Sequence, residues 1–290
     1  MPDITLSQGT ITYEDEGSGP PVVFVHGFLV DGDLWRETAA QLRGRARCIR
    51  PTLPLGAHRR AMGAAFDASP RGVARLLLEF LDALGLEDVT LVGNDTGGAI
   101  CQFAIDERPD RVARLVLTNC DAFERFPPPP YNGLTLLPRI PGAVALTALT
   151  LRVGPLQRPA FVPLSKKGIP AAQLAAWHRP FTRDKAVRAE TARFLRAVDP
   201  GDLLDVAARL RRFGGPVRIV WGTADRFFRL ADARRLAAAF RDAELVEVPG
   251  ARTFVPWDEP GRLADEIAGL LAAAPTRPAA ALAGSSPSSG

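Results

Sequence analysis

The stretch Leu91-Val92-Gly93-Asn94-Asp95-Thr96-Gly97-Gly98 decides the fold of this 290-residue chain. The continuous apolar run Val89–Val92 leads into it as a strand, and the helical spacing of apolar positions over Thr96–Glu107 leads out of it. Between them there is room only for a sharp strand-to-helix turn, the form of a nucleophile elbow. The residue at the tip of such a turn is forced into a strained backbone conformation, and the nearby glycines let strand and helix approach closely. That residue is Asp95, and its side chain should project at the edge of the sheet.

The same rhythm runs outward on both sides. Ile4–Leu6 and Thr10–Glu14 alternate around Gln8-Gly9 as a hairpin, and Val22–Val25 is a buried strand ending in His26-Gly27. A helix is expected from Asp33 to Leu42, strands at Arg47–Arg50 and Leu115–Leu117, and a helix over Pro70–Leu84. Later come a strand at Val217–Trp221, a helix at Ala231–Phe240, a strand at Glu244–Val248 and a helix over Pro260–Ala273. Val-, Ile- and Leu-rich strands alternating with helices predict an α/β fold: a mostly parallel central sheet with helices on both faces.

Residues 122–205 break the rhythm. They hold the Pro127–Pro130 run, further prolines at 138, 141, 155, 159, 163, 170 and 180, and short helical stretches without a clear strand, as expected of an inserted helical cap. The predicted division is therefore a first core part (1–121), the cap (122–205), a second core part (206–274) and a tail (275–290) of Pro, Ala, Ser and Gly, expected to be disordered.

Composition narrows the function classes. Lysine occurs only at 166, 167 and 185, so nearly all of the 36 basic residues are arginine, yet 32 acidic residues leave a net charge of +4. The paired arginines at 59/60, 211/212 and 234/235 are scattered among acids and form no basic stripe with aromatics, so no nucleic-acid partner is expected. Cys48, Cys101 and Cys120 have no CxxC spacing and read as buried thiols, without a disulfide or a metal site. The apolar stretch Ile140–Leu151 contains Pro141 and Gly142 and falls short of the ~20 apolar residues that cross a bilayer, so it reads as a lid helix and no membrane partner is expected. The first residues lack the features of a secretory signal, and a cytoplasmic location is the expectation. No cofactor is expected.

With Asp95 at the elbow, His26-Gly27 after the third strand and Trp221-Gly222-Thr223-Ala224-Asp225 after a late strand, the chain resembles the α/β-hydrolase family over nearly its whole length. An aspartate at the elbow resembles the branch that contains haloalkane dehalogenases and epoxide hydrolases. The resemblance implies an oxyanion hole from the backbone N–H groups of Thr96 and Phe28, and Asp225 as the acid of a relay. A carboxylate needs no base to attack carbon, but the ester it forms is released only by an activated water.

Here the sequence departs from that pattern. The relay histidine of the family follows the last strand, and the loop Pro249-Gly250-Ala251-Arg252-Thr253-Phe254 puts Thr253 in its place. Neither a hydroxyl nor a guanidinium shuttles a proton at neutral pH. Asp225 would then pair with Arg252 or Arg226. His26 is expected to shape its loop, and His58, in Pro54-Leu55-Gly56-Ala57-His58 at the carboxyl edge of the sheet, is the candidate replacement base. Trp177, His178 and Tyr131 are the candidate substrate contacts in the cap. Haloalkane dehalogenases carry a halide-holding tryptophan where this chain has Thr96, and epoxide hydrolases carry two cap tyrosines where it has at most Tyr131. The expected function is an enzyme acting through Asp95 on a small apolar molecule held between core and cap. The alternative is a non-catalytic ligand-binding protein of the same fold.

Overall fold

A computed structural model describes residues 1–273; the tail expected at 275–290 lies outside the described residues. Eight strands form one sheet: β1 (Asp3–Leu6), β2 (Gly9–Gly17), β3 (Pro21–Val25), β4 (Arg47–Pro51), β5 (Val89–Asp95), β6 (Val112–Cys120), β7 (Val217–Gly222) and β8 (Ala243–Val248), in the order β1-β2-β4-β3-β5-β6-β7-β8. β1, β2 and β4 pair antiparallel, and from β4 to β8 every pairing is parallel.

The helices are α1 (Arg36–Leu42), α2 (Pro70–Ala83), α3 (Thr96–Glu107), α4 (Ala143–Thr150), α5 (Gly154–Phe161), α6 (Ala171–Arg183), α7 (Lys185–Ala197), α8 (Pro200–Ala207), α9 (Leu230–Ala239), α10 (Val255–Asp258) and α11 (Pro260–Ala273). Several begin on local chemistry legible in the chain. The Ser69 hydroxyl accepts from Gly72 N–H ahead of Pro70 in α2, and the Asp184 and Asp199 carboxylates accept from the first amides of α7 and α8. The helix expected over Asp33–Leu42 is split: Asp31 caps a short 3-10 turn, Gly32–Trp35, before α1 starts.

Continuous apolar strands arise because both faces of the sheet are covered. In β3, Val23 and Val25 pack into one core with α2 and α3, while Val22 and Phe24 pack into the other with α1 and α11. Between β6 and β7 the backbone forms helices and turns, with one isolated bridge between Ala122 and Arg125. The boundary expected at 205 falls inside α8, whose Leu203 and Val206 are buried in the same core as α3. Just after α8, Arg209 is bonded through Nε and Nη2 to the two Asp106 oxygens at 2.7 and 2.6 Å. Buried carboxylate chemistry also ties the α5–α6 connection to the loop after β8. The Asp258 carboxylate accepts from the Ser165 hydroxyl (2.6 Å) and from the amides of Lys166 (3.0 Å) and Arg252 (3.0 Å).

Candidate active site

Asp95 ends β5 with φ +55° and ψ −131°, a conformation that an L-residue adopts only when its surroundings hold it there. Three glycines do so. A Cβ on Gly97 would lie 2.2 Å from the Val25 carbonyl oxygen, one on Gly98 would lie 2.3 Å from Cys120 Cβ, and one on Gly93 would lie 2.8 Å from Gly98 Cα. The turn therefore packs backbone on backbone. Gly98→Ala is expected to cost about 3 kcal/mol of stability, read as a lower urea midpoint.

Gly27 has a different task. A Cβ there would lie 2.3 Å from Asp95 Oδ2, so the missing side chain is the space in which the carboxyl sits. Gly27→Ala is expected to leave the sheet folded while displacing that carboxyl, and so to reduce any Asp95 reactivity about a hundredfold or more, measured as the rate of covalent labelling.

Opposing effects set the charge of Asp95. Burial pushes its pKa up, the backbone N–H groups of Thr96 and Phe28 pull it down by bonding the carboxylate, and the Asp225 charge pushes it up again, leaving it at about 7. The two amides expected to form an oxyanion hole thus already face an Asp95 oxygen. The Phe28 loop is fixed by His26, which is fully buried. Its Nε2 accepts the Leu53 N–H at 2.8 Å, so Nδ1 carries the proton and donates to the Gly27 carbonyl at 2.9 Å. Burial lowers its pKa to about 4, and this neutral ring shapes the loop.

Asp225 follows β7 and accepts four hydrogen bonds: from the amides of Phe227 (2.7 Å) and Phe228 (3.2 Å), from Asn119 Nδ2 (2.8 Å) and from the Thr253 hydroxyl (2.8 Å). The ion pair expected with Arg252 or Arg226 does not form. Arg252 instead donates to the carbonyls of Val162 (3.4 Å) and Ser165 (3.3 Å). Thr253 is fully buried, and its own carbonyl accepts from Asn94 Nδ2 at 2.7 Å. Thr253 therefore occupies the acid's free lone pair without offering a base.

The cavity above Asp95 has a volume of about 160 Å³ and apolar walls that include Phe28, Phe126, Tyr131, Leu134, Phe161 and Phe194, with Asp95 and Thr96 at its floor. Tyr131 is in the wall, and its hydroxyl is committed to the Ala160 carbonyl at 2.8 Å. The other three candidates stand elsewhere. His58 is buried outside the cavity wall, with Nε2 donating to Glu190 Oε2 at 2.9 Å and Nδ1 accepting the Gly56 amide at 3.3 Å. Glu190 also accepts from the Met62 amide at 2.9 Å, so the pair clasps the loop after β4 to α7. Trp177 is fully buried and donates to Asp31 Oδ1 at 2.8 Å. His178 lies behind the wall, 4.6 Å from the Phe161 ring, and burial lowers its pKa to about 4. His58→Gln is expected to lower stability by about 1–3 kcal/mol while leaving Asp95 labelling unchanged, measured by thermal unfolding and by labelling kinetics.

One acid escapes the sequence reading. Asp121 follows β6 beside the elbow, its amide 3.4 Å from the Asp95 carbonyl; it is fully buried and neither carboxyl oxygen has a hydrogen-bond partner among the described residues. Burial and the Asp95 charge hold its pKa well above the usual carboxylate range. The available signal was its position at the carboxyl end of a central strand. Of the chain's three histidines, none lines the cavity.

Residues 20–260 match the profile of the alpha/beta hydrolase fold. The chain belongs to this family. The haloalkane dehalogenase 2 of Mycobacterium tuberculosis is 32% identical over 276 residues, covering 90% of this chain and 91% of that protein. The cis-3-alkyl-4-alkyloxetan-2-one decarboxylase of Shewanella oneidensis is 30% identical over 234 residues, covering 74% of this chain and 70% of that protein. The structure of an inferred ancestral haloalkane dehalogenase aligns with a TM-score of 0.77 at 23% identity, over 94% of this chain and 98% of that one, which shows the shared fold. In an alpha/beta hydrolase, sites assemble at the carboxyl ends of the strands. Asp95, Asp121 and Asp225 stand at the ends of β5, β6 and β7. Among the described residues no helix is long and apolar enough to cross a membrane.

Proposed function

We propose that this alpha/beta hydrolase uses Asp95 as a nucleophile on an electrophilic carbon of a small apolar molecule bound under the helical cap. The observation that carries the reading is the Asp95 carboxyl itself, seated over Gly27 on two backbone amides at the floor of an apolar cavity. An Asp95 oxygen attacks the carbon, the bond from that carbon to its leaving group breaks, and the electron pair departs with the leaving group. The product is an ester of Asp95 whose carbonyl oxygen faces the amides of Thr96 and Phe28. Water attack on the ester carbonyl would place negative charge on that oxygen, where the two N–H groups stabilise it. Expulsion of the alcohol then returns the free carboxylate.

The relatives bear on the electrophile. One is named for dehalogenation and another for an oxetan-2-one, a strained ring with alkyl arms. Both are apolar molecules with an activated carbon. The cavity's volume is close to that of an apolar protein cavity that admits benzene. Thr96 offers no halide-holding indole and Tyr131 has spent its hydroxyl on Ala160, so strained oxygen rings, opened at their saturated carbon, stand beside alkyl halides as substrate classes. The second reading, a non-catalytic binder, is favoured by one observation: no imidazole lines the cavity, so nothing there activates the second-step water.

Intact-mass analysis after exposure to alkyl halides, epoxides, oxetan-2-ones and activated esters, followed by peptide mapping, separates the two. A mass increase mapped to Asp95 supports the nucleophile. Tight ligand binding with neither adduct nor turnover supports the binder.

A further inference from the structure

Two arginines are withdrawn from water, and they are treated differently. Arg50 is 3% exposed and surrounded by acceptors: Glu14 at 2.6 Å, Glu16 at 2.8 Å and the Gly32 carbonyl at 3.2 Å. Arg114, at the start of β6, is 7% exposed, yet among the described residues it makes no hydrogen bond and no ion pair; its Nε is sealed from solvent, and its two Nη groups have no protein partner on the side of the cavity that it lines. Its register partner on β5 is Thr90, whose buried hydroxyl also lacks a partner. A guanidinium stays charged at any pH the protein meets, and a buried charge without a counter-ion is among the costliest features a fold can carry.

Arg114 lines a cavity of about 430 Å³ at the amino edge of the sheet, the end opposite Asp95. Arg212 and the backbone of Gly214 and Gly215 form another wall, and Asp88 and Asp110 line it from exposed positions outside ion-pair distance of Arg114. We propose that this cavity is a binding site for a small oxyanion, a phosphate or a carboxylate, whose oxygens take the place of the acceptors that Arg50 has and Arg114 lacks. The planar fork of a guanidinium matches two oxygens of such a group. Asp88 and Asp110 repel an extended polyanion, which restricts the ligand to a compact one.

The test is thermal unfolding of the full chain in inorganic phosphate, in acetate and in chloride at equal ionic strength. Phosphate or acetate is expected to raise Tm in a saturable way that chloride does not reproduce, and the stronger of the two identifies the source of the oxygens. Arg114→Met is expected to weaken the apparent affinity at least about tenfold and to raise Tm in chloride, because an unpaired buried charge has been removed. Arg114→Lys keeps the charge without the fork and should retain part of the response. Asp95→Asn must leave the response intact, which separates this site from the cavity over β5. No oxyanion response in the unaltered chain, a response that survives Arg114→Met, or one lost in Asp95→Asn overturns the proposal.

Discussion

Asp95→Asn is expected to abolish covalent labelling by small electrophiles, with a rate loss of about a thousandfold or more, because an amide presents no anionic oxygen to carbon. In the unaltered chain the same labelling should depend on pH with a midpoint near the Asp95 pKa of about 7. The reactive form is the anion, so the rate should fall about tenfold for each unit below that midpoint and level off above it. The sign for stability is the reverse. Burial raises this carboxyl above the 3.8 it has when unfolded, so between about pH 4 and pH 7 the native state holds a proton that the unfolded chain has released. Stability therefore declines as pH rises through that window, and Asp121 and Asp225, both also raised, add to the decline. Asp95→Asn removes its share. Above pH 7 the variant should be more stable by roughly 2–4 kcal/mol, which chemical denaturation at pH 5 and pH 8 would register as a gain markedly larger at the higher pH. Labelling retained in Asp95→Asn, or labelling flat across pH 5 to 9, would remove the nucleophile from the mechanism.

Thr253→His is expected to shorten the lifetime of the Asp95 ester by about a hundredfold. General-base activation of water contributes roughly 10²–10⁴ where the base is in place, and Thr253 already sits between the acid and the elbow, its hydroxyl 2.8 Å from Asp225. An imidazole there would give one ring nitrogen to Asp225, which fixes the tautomer, and turn the other toward the ester. The larger ring must be accommodated at a fully buried position, so a loss of a few degrees in Tm should accompany the gain. Single-turnover decay of the adduct, followed by intact mass, is the measurement. A decay rate equal to that of the unaltered chain in a folded Thr253→His protein would mean that the missing imidazole is not what holds the ester.

What could be read along the chain was whatever depends on neighbours in sequence. Helices α3 and α11 lie at the predicted residues 96–107 and 260–273, because their apolar spacing and flanking turn chemistry are local. Strands β5 and β6 run further than their apolar runs suggest, through Asn94 and Asp95 and through Thr118 to Cys120. Polar residues persist in buried strands only when distant partners satisfy them, and Asn94 finds its acceptors at Thr118, Asn119 and Thr253. The same limit governs the site. The elbow, its glycines and the threonine after β8 are visible as letters, whereas the role of His58 depended on Glu190, 132 positions away, and the side-chain donors to Asp225 proved to be Asn119 and Thr253.

The sequence by itself determined the alternation of strands and helices, the strained turn at Asp95 and the absence of a histidine at position 253, since each follows from residue type and local spacing. Only the tertiary structure decided which acids share one sheet edge, which histidines are spent on holding loops, and that Gly27 exists to seat a carboxyl. The physical reason is that charge state and hydrogen-bond satisfaction are set by whatever the fold brings within a few ångströms, and strands β5, β6 and β7 bring together aspartates that are 26 and 104 residues apart.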